Sequence, residues 1–258
     1  MIVTTLISCL VMLAAAESLI FFLESPLGIL LYIILLIGLF VRWLTAANDA
    51  AMRRLTLALT LVPVCRLVSL FSSMVMWALG IDADIALSAL TQALLLLTAI
   101  GFLRITRFRR IEVGLVLDKL RLQLAAGLTG FGIGSALYFA LRPDLNVPDS
   151  SWYWLLFGAL VVAVGAAAEE FIFRGLLQRG VTPAIGSGPG LCYVSLVFAV
   201  AHLGNVSGPN LSILSIPLIF VAAIFYGFMV LKTGSLLGAT ISHTIANITI
   251  FMVLPLVI

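Results

Sequence analysis

Residues Trp152–Gly175 read WYWLLFGALVVAVGAAAEEFIFRG, an apolar run of membrane-spanning length that closes on two adjacent carboxylates, Glu169 and Glu170, with Arg174 four residues on. A bilayer core takes about 20 consecutive apolar residues of helix. One acidic side chain near its centre costs about 2.5–3.5 kcal/mol on insertion scales. Two acids in succession inside such a run mark a place where stability is given up for a purpose.

The rest of the chain has the same character. Of its 258 residues, 63% are hydrophobic and 10% charged, and the mean hydropathy is +1.25. That leaves too little polar surface to coat a water-soluble core. The reading is an all-α, polytopic transmembrane helical bundle with nine candidate spans, at about 2–22, 26–44, 55–79, 84–103, 122–141, 152–176, 189–203, 211–231 and 235–256. The seventh is short. Merging or half-inserting one span, the first above all, reduces the count to eight. Pro26, Gly80, Pro143, Pro148, Gly188-Pro189, Gly208-Pro209 and Gly234 punctuate the connections. The first run lacks a basic leader and a small-residue cleavage site, so it is expected to be a retained span or signal anchor. Cys9, Cys65 and Cys192 lie in apolar runs without CxxC pairing and are expected to be small buried hydrophobes.

In a chain of this kind the net charge of +3 reports topology, not a nucleic-acid partner. Basic residues fall in alternate connections: Arg42, Arg53 and Arg54; then Arg104, Arg107, Arg109, Arg110, Lys119 and Arg121; then Arg174, Arg179 and Lys232. The opposite connections hold Glu24, Asp82 and Asp84, then Arg142 with Asp144 and Asp149. The positive-inside rule puts the first set in the cytoplasm, and nine spans then leave the C-terminus outside. Between Arg104 and Arg121 the basic residues interleave with Ile105, Phe108, Ile111, Val113, Leu115 and Leu117. This reads either as an amphipathic stretch lying on the inner leaflet or as a plain positive-inside loop. Trp152, Tyr153 and Trp154 read as an interfacial aromatic belt.

Polar groups inside the late spans form three short patterns. Glu169, Glu170 and Arg174 make EExxxR; Phe198 and His202 make FxxxH; His243 and Asn247 make HxxxN. On a helix Glu170 and Arg174 share a face and can pair, while Glu169 is turned about 100° away. Arg174 would then hold Glu170, and Glu169 would project toward the bundle interior as the reactive group. At about 1.5 Å per residue, His202, His243, Asn247 and Glu169 each lie roughly 10–20 Å into their spans from the cytoplasmic side, so convergence is allowed. Arg66, mid-way along the third span, reads as one half of an internal structural pair or a snorkelling side chain, with Glu17 as the available partner.

A carboxylate beside a histidine in a dry cavity suits the activation of water, and a second histidine with an asparagine amide supplies donors for a developing oxyanion. Together they fit acyl hydrolysis such as peptide-bond cleavage. Serine-elbow and HExxH patterns are absent from the sequence.

The three motifs, in this order on late membrane helices, resemble the CPBP family: the CAAX-protease and bacteriocin-processing (ABI) membrane proteins, which include the Ras-converting CAAX endopeptidases. The motif-bearing resemblance covers about residues 120–258. It implies a division into N-terminal helices with the basic loop, 1–121, and a CPBP-like catalytic membrane core, 122–258. It implies an intramembrane, glutamate-dependent endopeptidase needing no cofactor. By motif position Glu169 would be the general base, with His202 helping to activate the water. His243 and Asn247 would form the oxyanion hole, Glu170 and Arg174 would support the site, and Phe198 would pack. The implied partners are the lipid bilayer and a membrane-associated protein or peptide substrate, lipidated or prenylated ones included. The implied location is a plasma (inner) membrane of bacterial type, with the site open toward the cytoplasm.

Two other readings of the residues stay open. Glu169, His202 and His243 could ligate zinc as a two-histidine, one-carboxylate set. The buried acids could instead serve a carrier, or sit in a non-enzymatic immunity, chaperone or scaffold protein.

Overall fold

In lipid an apolar run can satisfy its backbone only as a helix or a closed barrel. The computed structural model describes residues 1–80, 84–141, 152–203 and 209–258, and among them it is helical with no β-strand. Asp82, Arg142, Pro143, Asp144, Pro148, Asp149 and Gly208 lie outside the described residues, as do the side chains of Asp84 and Trp154. The helices are α1 (Ile2–Leu23), α2 (Leu27–Thr45), α3 (Ala50–Ala78), α4 (Asp84–Thr106), α5 (Leu120–Gly127), α6 (Thr129–Leu141), α7 (Trp152–Glu170), α8 (Gln178–Ile185), α9 (Ser187–Ala201), α10 (Pro209–Thr233), α11 (Leu237–Ile248) and α12 (Leu254–Val257). Two wider π-helical turns, Phe171–Leu177 and Thr249–Val253, interrupt the series.

Among the described residues, eight of the helical runs are long and apolar enough to cross a membrane. The protein is an integral membrane protein of the polytopic helical class. The short member is the seventh run, as expected: α9 has 15 residues, whereas the first run, expected to merge or half-insert, is a full helix of 22. The run containing the two glutamates is longer than expected and continues to Ile185. The expected break at Gly188-Pro189 falls instead at Gly186, whose φ of +88° ends α8 and opens α9. Proline is tolerated within the first turn of a helix, where its missing N–H has no acceptor to lose.

The chain divides into two compact units. The first comprises Met1–Val68 and Leu176–Ile224. Here Glu24, in the left-handed conformation, and Pro26 turn α1 into α2. The two helices meet closely at Gly28, where an added Cβ would stand 2.6 Å from the Ala16 carbonyl. Below this contact, Glu17 on α1 is fully buried and accepts hydrogen bonds from Tyr32 on α2 and from the Arg66 guanidinium on α3, Nη2–Oε2 being 2.7 Å. Arg66 is thus half of an internal ion pair. Cys9 and Cys65 are buried as expected; Cys192 is exposed, a correction to the reading of all three as buried hydrophobes. It borders an apolar groove with Leu196 and Phe220, because an apolar helix in lipid need not turn its small residues inward.

The second unit comprises Ser69–Gly175 and Phe225–Ile258, and α11 is its centre. Three glycines on one face of α5 and α6 let α11 come in close. A Cβ on Gly127 would lie 2.5 Å from Ile241, on Gly130 2.2 Å from the Ser242 carbonyl oxygen, and on Gly134 2.6 Å from the Ala246 carbonyl oxygen. Without water to drive helices together, such backbone proximity and interhelical hydrogen bonds supply the attraction. Thr129 and Ser242 add one, at 3.0 Å. The buried amide of Gln123 accepts from the Gly238 N–H at 2.9 Å, capping the start of α11. On the far side of α7, Gly165 receives the side chain of Gln92 from α4.

The basic segment between α4 and α5 is a set of turns and not a helix. Val113 is fully buried, so the stretch does not present all its apolar residues to a leaflet. Gly114, at φ +75°, accepts from the Leu236 N–H at 2.9 Å, and Ser235 donates to the Val116 carbonyl at 2.6 Å. The loop is therefore tied to the turn that opens α11.

Candidate active site

Glu169 and Glu170 are the last two residues of α7, and the backbone then widens into the π-helical turn. Wide turns of this kind are rare and recur at functional sites. The two carboxylates have different surroundings. Glu170 is fully buried: its Oε1 accepts from Arg174 Nη1 at 2.9 Å and from His243 Nδ1 at 2.9 Å. The Glu169 side chain keeps 21% of its surface accessible, and its Oε2 stands 3.7 Å from His243 Nε2. The Glu170–Arg174 pairing expected from a four-residue spacing is present even though the intervening backbone is not an α-turn.

His243 thus lies between the two glutamates. A carboxylate oxygen that already receives Arg174 can only accept, so Nδ1 of His243 carries a proton. Tyr226, 2% exposed on α10, covers one face of the imidazole, with ring centroids 5.2 Å apart and planes 19° from parallel. The Arg174 guanidinium lies 5.7 Å from the centre of the same tyrosine ring. Asn247 comes one turn of α11 after His243, on the same face, and is half-buried.

His202 belongs to the first unit, where it is the C-cap residue of α9 and not a residue within the helix. Its Nδ1 donates to the Phe198 carbonyl at 2.8 Å, and its ring lies on the Phe198 ring with centroids 4.2 Å apart. Phe198 therefore holds His202 through both its backbone and its ring. Of the sequence-derived residues, Glu169, Glu170, Arg174, His243 and Asn247 share the second unit; Phe198 and His202 share the first.

Sequence reasoning missed Tyr226. The available signal was a hydroxyl-bearing ring in the apolar run of α10, but spacing along the chain gives no hint of a stack formed across a turn. Among the described residues, no group of three or more His, Cys, Asp or Glu side chains is arranged to hold a metal ion.

Compared with models of known families, residues 150–249 match the one described as type II CAAX prenyl endopeptidase, Rce1-like. The chain carries a domain of this family. No curated protein and no solved structure matches it. The CAAX-protease domain runs from the threshold of α7 into the second π-helical turn and holds all seven motif residues named above. Its family is one of peptide hydrolases, so the protein is a hydrolase. With eight helices of membrane-spanning length, it belongs with the intramembrane endopeptidases.

Proposed function

We propose that the protein cleaves a peptide bond of a membrane-associated, lipidated or prenylated substrate by water that Glu169 activates as general base. The observation that carries this reading is the unequal treatment of the two adjacent glutamates. Glu170 is sealed and saturated at one oxygen by Arg174 and His243, while Glu169 retains access and faces the other nitrogen of the same histidine. A base must be reachable by water, and a positioning carboxylate must not move.

Glu169 takes a proton from water as the oxygen attacks the scissile carbonyl, and it returns that proton to the departing amine as the C–N bond breaks. His202 assists this step, an assignment resting on its FxxxH motif within the matched domain. Asn247 and His243 stabilise the oxyanion. Since its Nδ1 proton is committed to Glu170, His243 donates from Nε2 only in its doubly protonated form, flanked by Glu170 and Glu169. The alternating basic connections support an opening toward the cytoplasm of a bacterial-type plasma membrane.

The test is cleavage of a quenched fluorescent peptide carrying a lipidated cysteine, by purified protein in lipid nanodiscs. Glu169→Gln and His202→Ala should each lower kcat by about 10²–10⁴-fold, the usual contribution of a general base, with the melting temperature unchanged. Wild-type turnover in both variants would sink the proposal. Cells expressing Glu169→Ala should accumulate the uncut substrate, which proteomics would identify.

A further inference from the structure

We propose that Tyr226 is a positioning residue for His243, and that the face of its aromatic ring orients the imidazole. The proposal rests on the reading of His243 as a site residue. A hydrogen bond at Nδ1 fixes one corner of an imidazole but leaves its plane free to swing, because the terminal torsion of histidine is broad and without sharp wells. Swinging about the Nδ1–Glu170 contact would carry Nε2 away from Glu169. The face contact with Tyr226, at 5.2 Å and 19°, removes that freedom. Tyr226 is in turn confined, being 2% exposed and having the Arg174 guanidinium 5.7 Å from its ring centre. Arg174 thereby touches both elements that orient the histidine: Glu170 through a hydrogen bond and Tyr226 through its ring.

The protein holds its other histidine in the same manner. His202 also donates from Nδ1 to a fixed acceptor and also lies against an aromatic ring, that of Phe198. The two clamps are built from different elements in different units and share no residue, so the arrangement is repeated and does not arise from packing a single helix pair. For His202 the clamp lies four residues back on the same helix. For His243 it comes from α10, across the turn that contains Gly234.

The experiment compares Tyr226→Phe, which keeps the ring, with Tyr226→Leu and Tyr226→Met, which keep bulk without it. The proposal expects Tyr226→Phe to retain wild-type kcat. It expects the two aliphatic variants to lose kcat by up to about 100-fold, the scale of a 1 Å misplacement in a site, with KM unchanged. A change in KM alone, or equal loss in all three variants, would overturn it.

A second readout is independent of turnover. The protein has two histidines, so histidine-selective labelling in a His202→Gln background leaves the His243 ring as one set of NMR signals. Stacking shifts its ring protons upfield. Tyr226→Phe should preserve that shift and Tyr226→Leu should abolish it; identical spectra in the two would refute the clamp. If Glu169→Gln were to keep its activity, the functional reading would fail while the spectra still judged the clamp. Should both aliphatic variants fail to fold, Tyr226→Phe decides alone: preserved kcat and preserved shift support the ring, and loss of either overturns it.

Discussion

Adding one methyl group to Gly130 should disable the enzyme from a helix that carries none of the motif residues. The ideal Cβ at Gly130 lies 2.2 Å from the Ser242 carbonyl oxygen and 2.8 Å from Ile245 Cβ, against an ordinary contact distance of 3.4 Å or more. The nearest obstacle is backbone, so rotamer changes cannot relieve it. α6 and α11 must separate by about 1 Å at this point, an overpacking that costs on the order of 1–3 kcal/mol. The displaced backbone belongs to Ser242, the neighbour of His243, so the shift is delivered to the imidazole itself. A misplacement of that size lowers kcat by up to about 100-fold. Gly132 supplies the control: on the same helix, two residues away, a Cβ there meets nothing within 4 Å. Gly130→Ala and Gly132→Ala would be purified in nanodiscs, melted, and assayed on the lipidated peptide. The expected result is a lower melting temperature and a strongly reduced kcat for Gly130→Ala, with Gly132→Ala equal to wild type in both. Equal behaviour of the two variants would refute the claim that close helix contact sets the position of His243.

The same geometry carries other expected outcomes. Glu17→Ala strands the Arg66 guanidinium and should cost about 3 kcal/mol, the lower end for a broken buried pair because a long arginine can reach toward water. The double variant Glu17→Met/Arg66→Met should recover most of that loss, measured by thermal unfolding, and kcat should not change in either. Gln123→Leu removes the acceptor of the Gly238 N–H and should destabilise the start of α11 by about 1–3 kcal/mol, visible as faster hydrogen exchange at residues 237–240; wild-type protection there would contradict the capping role. Treatment with a strong zinc chelator should leave peptide cleavage unchanged if Glu169 activates water unaided, whereas loss of activity restored by one equivalent of zinc would favour metal chemistry.

Helical class was legible because an apolar run in lipid has few alternatives, and the runs are separated by Gly and Pro. The difference between Glu169 and Glu170 was legible too, since Arg174 falls four residues from only one of them. The wider turn after Glu170 was not: it contains no proline, and Gly175, its one weak helix former, does not distinguish a π-helical turn from an α-turn. The brevity of α9 was legible as well, because its apolar run is itself short, and the helix has 15 residues. The loop at 107–119 was read by its charges, but its conformation is set by partners over a hundred residues away, Ser235 and Leu236. Tyr226 was hidden for the same reason. Long-range pairing leaves no local trace in a single sequence.

The π-helical turn at Phe171–Leu177 acts as a phase shifter. A turn closed by i→i+5 bonds takes up one residue more than an α-turn. Side chains after it are therefore out of step with the 3.6-residue rhythm of α7. Deleting one residue between 171 and 173 would bring Arg174 from the fourth to the third place after Glu170, turning the guanidinium by about 100° relative to the carboxylate that it now pairs with. A one-residue gap at this place is a rewiring of the site.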